Sequence, residues 1–370
     1  TYYFTVRSIC GDDDYSDWSD NGNNGPDQWT TSNCPSSYSL PYLNDFNDPV
    51  AWSTCQTFYD NDGDGYVDAL KLIKQGPGAE EGDQTNIWSH KWNLGNLAVS
   101  YDGVIIDSYN MNPEIQNGNI VAIGVLAHEF GHSLGLPDLY DTDYSSTGAG
   151  KLSLMASGSW GTSGNTPWYP SSMVGWIKNE LGWVDIVEID ENQTNVTVEQ
   201  SYSSNIIYRV NHSQVEEEYW LIENRQKIGS DTLITTPGLT IWHINENIAQ
   251  GWAPNNDEPY YGVGLEQADG MFALENGGPS NGADVFPGDL NNREFSHSSN
   301  PNTTSLYGEP SLLRLDNISD PGNLGTLLRS ASWYGINNVL VTSKSVDIYN
   351  PKVVRSAMGA HFHITNLHQL

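Results

Sequence analysis

The sequence predicts an α+β protein in which a twisted sheet backs one long helix and a β-rich portion follows. Three observations carry that reading. Residues 119–135, NIVAIGVLAHEFGHSLG, place Ile123, Ala127, Phe130 and Leu134 at spacings of 4, 3 and 4, which is one stripe of a helix. Before it come runs with strand character, YVDALKLIK and DGVIIDSYNM. Past Trp183 the segments NVTVEQS, NIIYRVN, EEYWLIENR and GLTIWHIN are short, rich in β-branched and aromatic residues, and separated by Asn, Gly, Ser and Pro.

At 370 residues the chain is long enough for two ordinary domains or one with large insertions. Its 15 Lys and Arg against 46 Asp and Glu give a formal net charge of -31, which argues against phosphate backbones and anionic lipid as partners. No nucleic-acid partner is therefore expected. Such repulsion suits a saline setting or bound cations. With 13 Trp and 20 Tyr the chain has the material for a folded core. No apolar run reaches the roughly 18 residues of a membrane helix, so no membrane span is expected. The chain opens at Thr1 and reads as a processed product. Cys10, Cys34 and Cys55 permit one disulfide and one leftover thiol. Sequons at Asn192, Asn195, Asn211, Asn302 and Asn317 suit exposed loops of a secreted protein.

In chain order, the first chemistry-bearing stretch is DNDGDGYVD, residues 60–68. Asp60, Asp62 and Asp64 alternate ahead of Gly65, with the Tyr66 carbonyl and Asp68 following at the seventh and ninth positions of an EF-hand-like loop. Lys71 stands where an EF-hand has its bidentate Glu, so the pattern is that of a shorter Asp-rich calcium loop. Four like charges in nine residues repel without a cation. Ca²⁺ is expected there in a structural role. Asp269 and Asp284 are weaker candidates for a second such site.

The helix is expected to begin near Asn119, capped by Asn117 or Asn119, and to stop at Gly135, with Pro137 preventing its resumption. Gly124 and Gly131 each cost about 1 kcal/mol inside it, so a tight packing partner is expected. His128 and His132 are one turn apart and face the same way, able to share one ion at about 2.0–2.1 Å. The turn at Gly135 lets Asp138 return as a third ligand and leaves a fourth position for water. Glu129 lies a quarter turn away, placed to take a proton from that water. This is the donor set of a catalytic Zn²⁺.

HEFGHSLGLPDLYD resembles the signature of the M6 peptidases, the immune inhibitor A type of secreted metalloprotease. The resemblance implies a zincin or metzincin-like fold, with Asp138 where most metzincins place a third His. It also implies that SLMASGSWG, residues 153–161, is the methionine turn beneath the metal, with Met155 as its apolar floor. Ser157 stands where some metzincins carry a metal-approaching Tyr, and Tyr169 is a substitute candidate for oxyanion stabilisation. Residues 59–92 are similar to the family's segment ahead of the zinc helix, and the likeness extends from about 56 to about 320. It implies protein or peptide substrates.

The expected organisation is a divergent lead-in over 1–55, a zinc peptidase core over 56–184, a β-rich domain packed on it over 185–320, and a β-like segment of unknown role over 321–370. His90 and His243 read as structural, and His361 and His363 as residues of a strand. Two alternatives compete with a secreted zinc endopeptidase. One is a calcium-dependent surface- or glycan-binding protein with structural metal sites. The other is a self-inhibited peptidase, through a missing segment or a cysteine thiolate on the zinc. Sequence leaves the oligomeric state open.

Overall fold

The structure, a computed structural model, describes residues 60, 62–101, 103–193, 196–316, 318, 321–342 and 345–369. The lead-in 1–55 with its three cysteines, and the sequons at Asn195 and Asn317, lie outside the described residues. The chain divides into two compact units, 1–121 and 122–370.

In the first unit the central strand is β5 (Ser108–Gln116). It pairs in parallel with β1 (Lys71–Pro77) and antiparallel with β2 (His90–Asn93). A separate hairpin joins β3 (Val99–Tyr101) to β4 (Val104–Ile106). The Asp-rich loop is tied to that hairpin, where Ile105 N donates to Gly65 O at 2.8 Å and Val67 N to Ile105 O at 2.9 Å. β5 then turns back on β6 (Asn119–Ile120) through Asn117 (φ 51°) and Gly118 (φ 72°). Both left-handed conformations are what an Asn-Gly hairpin turn requires.

That hairpin moves the start of the long helix. Expected near Asn119, α1 begins at Ile123 and runs Ile123–Ser133, with Ala122 as an N-cap that offers no side-chain bond. Instead Gly124 N donates to Pro167 O at 2.8 Å. The C-terminal end is as expected, with Gly135 left-handed at φ 88° and its N–H donating to His132 O at 3.1 Å.

The buried face of α1 also differs from the apolar stripe. Ile123, Phe130 and Leu134 are exposed, while Gly124, Val125, His128, Glu129 and Gly131 are buried. The two glycines explain the choice. A Cβ on Gly124 would lie 1.9 Å from Ser159 O, and one on Gly131 would lie 2.5 Å from Met155 Sδ. Close approach at the two glycines, by the Ser159 backbone and by the Met155 side chain, fixes how this helix docks.

The second unit continues with α2 (Gly175–Glu180), β7 (Asp185–Glu188), β8 (Ile206–Asn211), β9 (Glu218–Arg225), β10 (Gly238–Asn245), α3 (Glu246–Ala249) and β11 (Val263–Leu265). The five strands form one sheet in the order β11-β10-β9-β8-β7, antiparallel except for the β7–β8 pair. Of the four strand-like runs expected past Trp183, NVTVEQS forms no strand among the described residues and contributes only a bridge from Gln200 to Asn224. One hydrophobic core holds Leu136, Met155 and Trp176 together with Leu221, Trp242 and Val263. The boundary expected near 184 therefore crosses a shared core, because the sheet supplies the apolar surface on which the site's loops pack.

β12 (Phe295–Ser296) and β13 (Arg314–Leu315) form a small antiparallel pair. The final segment was expected to be β-like. It contains strands, β14 (Asn338–Val341) and β15 (Asn366–Gln369), but they pair in parallel, and the helices α4 (Pro321–Trp333) and α5 (Pro351–Ala357) make up more of it. Parallel strands need a crossover between them, which α5 provides. Leu328, Val353, Ala357 and Ile364 form its own small core. His361 sits in a 3-10 turn, not a strand, with Nε2 2.7 Å from Ile348 O.

Every residue of β9 is buried, including its charged ones. Glu218 on β9 lies 3.0 Å from Nε2 of His243 on β10, and Glu266 lies 3.3 Å from its Nδ1. Burial alone would pull the imidazole down, but the two carboxylates outweigh it and hold His243 up at about 9. A folded pKa above the ordinary 6.5 means that this stabilisation is complete below about 6.5 and is lost as pH rises towards 9. The loss should be on the order of 3 kcal/mol. Denaturant midpoints measured from pH 6 to 9.5 should converge between the native chain and His243→Gln; parallel curves would refute the linkage.

Candidate metal centre

The helix period brings His128 and His132 onto one side of α1, their ring centroids 4.8 Å apart. The reversal after Gly135 returns Asp138 to them, with Oδ1 3.1 Å from His128 Nε2 and 3.2 Å from His132 Nε2. One ligand atom from each of the three falls within 4.8 Å of the others. Backbone carbonyls orient both rings. His128 Nδ1 lies 3.0 Å from Leu154 O, and His132 Nδ1 lies 2.8 Å from Leu136 O.

These contacts have a chemical consequence. A carbonyl only accepts, so each Nδ1 carries the proton, and each neutral ring presents a bare Nε2 lone pair. Two lone pairs and the oxygen of Asp138 then converge, and that oxygen is buried without a hydrogen-bond partner. Three acceptors facing one another are relieved by a cation between them, or by a proton on one imidazole. Donor separations near 3.3 Å are what a tetrahedral ion with bonds of about 2.0 Å imposes, so these residues fit a zinc-type ion.

The electrostatics agree. Burial opposes ionisation of Asp138, yet the two histidines hold its carboxyl well below the usual range. Burial likewise pulls His132 down, and the negative charge of Asp138 beside it more than reverses this. Tyr140 is raised, first by burial and then by the negative charge of Asp138.

Met155 is fully buried, and its sulfur packs against the backbone of Gly131 between the two histidines. Its neighbour Leu154 holds His128 through the carbonyl, while Met155 O accepts from Leu139 N at 2.7 Å. The 154–155 turn thus grips both sides of the centre. Glu129 is buried on α1 beside His128, close enough for its charge to raise His132. Beyond Asp138, Asp141 fastens the following loop by accepting from Ser146 N at 2.7 Å and from Ser145 Oγ at 2.8 Å.

At the Asp-rich loop, Asp60, Asp62 and Asp64 converge within 4.8 Å. Asp60 Oδ1 is buried without a hydrogen-bond partner, while Oδ2 accepts from Gly65 N at 3.1 Å. Asp68 is not among the carboxylates that converge, and Tyr66 N donates to Asp64 Oδ1 at 2.7 Å. Asp284 is buried and pushed up to about 6, by burial and then by Asp269 and Glu275. Among the described residues those acids form no group of three metal donors. His90 uses both ring nitrogens, 2.8 Å from Trp88 O and 3.2 Å from Tyr109 Oη, as a structural residue would. Tyr169 is exposed in the turn after Thr166, and nothing ties it to the centre. Tyr140, which stacks on His128, was missed by sequence reasoning, although it stands only two residues after Asp138.

Residues 45–184 match the family described as immune inhibitor A peptidase M6, catalytic domain. Immune inhibitor A of Bacillus thuringiensis subsp. alesti is 37% identical over 157 residues, which is 36% of this chain and 22% of the relative. Residues 45–184 are thus similar to the catalytic domain of M6 peptidases. Pre-pro-metalloprotease PrtV of Vibrio cholerae serotype O1 (strain M66-2) is 35% identical over 155 residues, 35% of this chain and 16% of the relative. The M6 match begins at 45, inside the expected lead-in, and ends at 184, short of the expected 320. It supports a metal-dependent peptidase, and the mixed, sheet-rich structure with few helices fits such a domain.

A second match lies at the other end. Residues 310–370 match the SpoU rRNA methylase family, and rRNA methyltransferase 3, mitochondrial, of Homo sapiens is 49% identical over 70 residues, 19% of this chain and 17% of the relative. The chain covers 22% or less of the length of each of these relatives. This match overturns the expectation of no nucleic-acid partner. That expectation rested on a whole-chain charge average. Residues 310–370 carry five of the 15 Lys and Arg but only three of the 46 Asp and Glu, so the local charge is positive. Relatives named mitochondrial also pull against a purely extracellular location.

Proposed function

We propose that the M6 domain is a secreted, metzincin-like zinc endopeptidase. The convergence of two bare imidazole nitrogens on the buried, unpartnered Oδ1 of Asp138 carries this reading. His128, His132 and Asp138 would hold the metal, which when bound supplies Lewis acidity to a peptide carbonyl and acidity to a water. Glu129 accepts the proton of the attacking water and hands it to the leaving amine. Met155 closes the floor with an apolar surface. Ca²⁺ at Asp60, Asp62 and Asp64 belongs to the same proposal, supported by their spacing and by the unpartnered oxygen of Asp60.

Zinc content paired with casein cleavage, before and after chelation and zinc add-back, tests this reading. One zinc per chain, with activity that leaves and returns with it, is expected. Zinc without cleavage would favour the binding-protein or self-inhibited alternatives.

A second reading concerns residues 310–370, supported by their positive local charge and their SpoU likeness. Here the segment contacts structured RNA, with Arg329 and Arg355 exposed on α4 and α5. Filter binding to an rRNA fragment should weaken in Arg329→Glu/Arg355→Glu and fall steeply with salt. Equal retention by native and variant chains would reject it.

A further inference from the structure

We propose that Arg225, paired with Asp231, is a positioning residue for the metal centre, fixing from the five-stranded sheet the segment whose Leu154 carbonyl orients His128. The proposal rests on the zinc reading above. Arg225 ends β9 and is wholly buried. Its Nε and Nη2 donate to Oδ2 and Oδ1 of Asp231 at 2.5 and 2.6 Å, a two-pronged pair that sets the plane of the guanidinium. The remaining Nη1 donates to Leu152 O at 3.1 Å and to Glu223 Oε1 at 3.3 Å.

Two routes lead from this pair to His128. Along the first, Arg225 holds the carbonyl of Leu152, two residues before Leu154. Along the second, Asp231 Oδ1 accepts from Ser172 N at 3.1 Å, Ser172 O accepts from Leu154 N at 3.3 Å, and Leu154 O meets Nδ1 of His128 at 3.0 Å. The carbonyl that keeps the proton on Nδ1 of His128 is thus placed by a pair lying past residue 184, where the M6 match ends. Glu223 completes the network by accepting from Lys178 Nζ at 3.0 Å and from Trp242 Nε1 at 3.1 Å, so two cations face two carboxylates. Burying such groups adds little net stability, because desolvation offsets most of their attraction. A fully bonded buried network does supply a single geometry. An apolar pair would fill the same space and leave residues 152–154 free to shift.

Removing Arg225 alone would strand the buried Asp231 carboxylate, so the test neutralises both partners. Arg225→Met/Asp231→Asn removes the two charges together and leaves an oxygen to accept from Ser172 N. Arg225→Lys, which keeps the charge but not the fork, is the second variant. Folding of the metal-free whole chain is checked by circular dichroism, zinc affinity by chelator competition, and the geometry of the centre by the visible absorption of the Co²⁺-loaded chain. The double variant should fold, bind zinc about 10-fold more weakly and show an altered cobalt spectrum. Zinc affinity within about twofold of native and a native cobalt spectrum in the double variant, or in Arg225→Lys should the double variant not fold, would overturn the proposal and leave the zinc reading standing. A fall in affinity with an unchanged cobalt spectrum, or failure of both variants to fold, would assign the pair to general stability and also overturn it. Failure of the native chain to bind zinc would remove the reading beneath the proposal.

Discussion

Glu129→Gln is expected to lower peptide hydrolysis by about 10²–10⁴-fold while zinc content stays at the native level. The amide has nearly the volume of the carboxylic acid, so the buried pocket on α1 that holds Glu129 is not emptied. It loses only the ability to accept a proton. His128 and His132 keep their backbone partners at Leu154 and Leu136, and the ligand set is unaffected. Turnover of a casein-derived peptide, with metal measured on the same sample, separates this outcome from general damage. Native activity in the variant would sink the general-base role.

Asp138→Ala is expected to abolish stoichiometric zinc. Two histidines on one helix remain, but the third donor and its negative charge are gone, and the loss should exceed the roughly 10–100-fold typical of an outer-shell partner. The imidazoles stay oriented by carbonyls that do not involve Asp138. The metal-free variant should therefore fold, with native-like circular dichroism. Unchanged zinc content would reject Asp138 as a ligand and with it the tetrahedral arrangement proposed here.

The centre was legible because its parts are local. His128, Glu129 and His132 share one helix, and the left-handed turn that returns Asp138 falls on Gly135, so a 3.6-residue period and a glycine suffice to bring them together. The start of that helix was misread for an equally local reason. Asn117-Gly118 is a hairpin signal, and the hairpin it makes with β5 and β6 consumes residues that the helical repeat had claimed. The apolar stripe misled in a different way. Hydrophobic periodicity identifies a face but not what meets it, and the backbone around Ser159 and Pro167 approaches only where a side chain is absent, at Gly124.

Charge was legible as a total and misleading as an average. A net charge of -31 sums a strongly acidic stretch over residues 1–309 with a positive final segment, and a partner reads the local field. The β-like reading of that segment rested on NNVLVTS and GAHFHITNL. The first supplies β14, but in the second His361 belongs to a 3-10 turn ahead of β15. By itself, then, the sequence determined the candidate donor types, their spacing on α1 and the resemblance to M6 peptidases, since all of these lie within a few turns of chain. Only the tertiary structure decided which face of α1 is buried and that the core runs past residue 184, because each depends on segments brought together from distant parts of the chain.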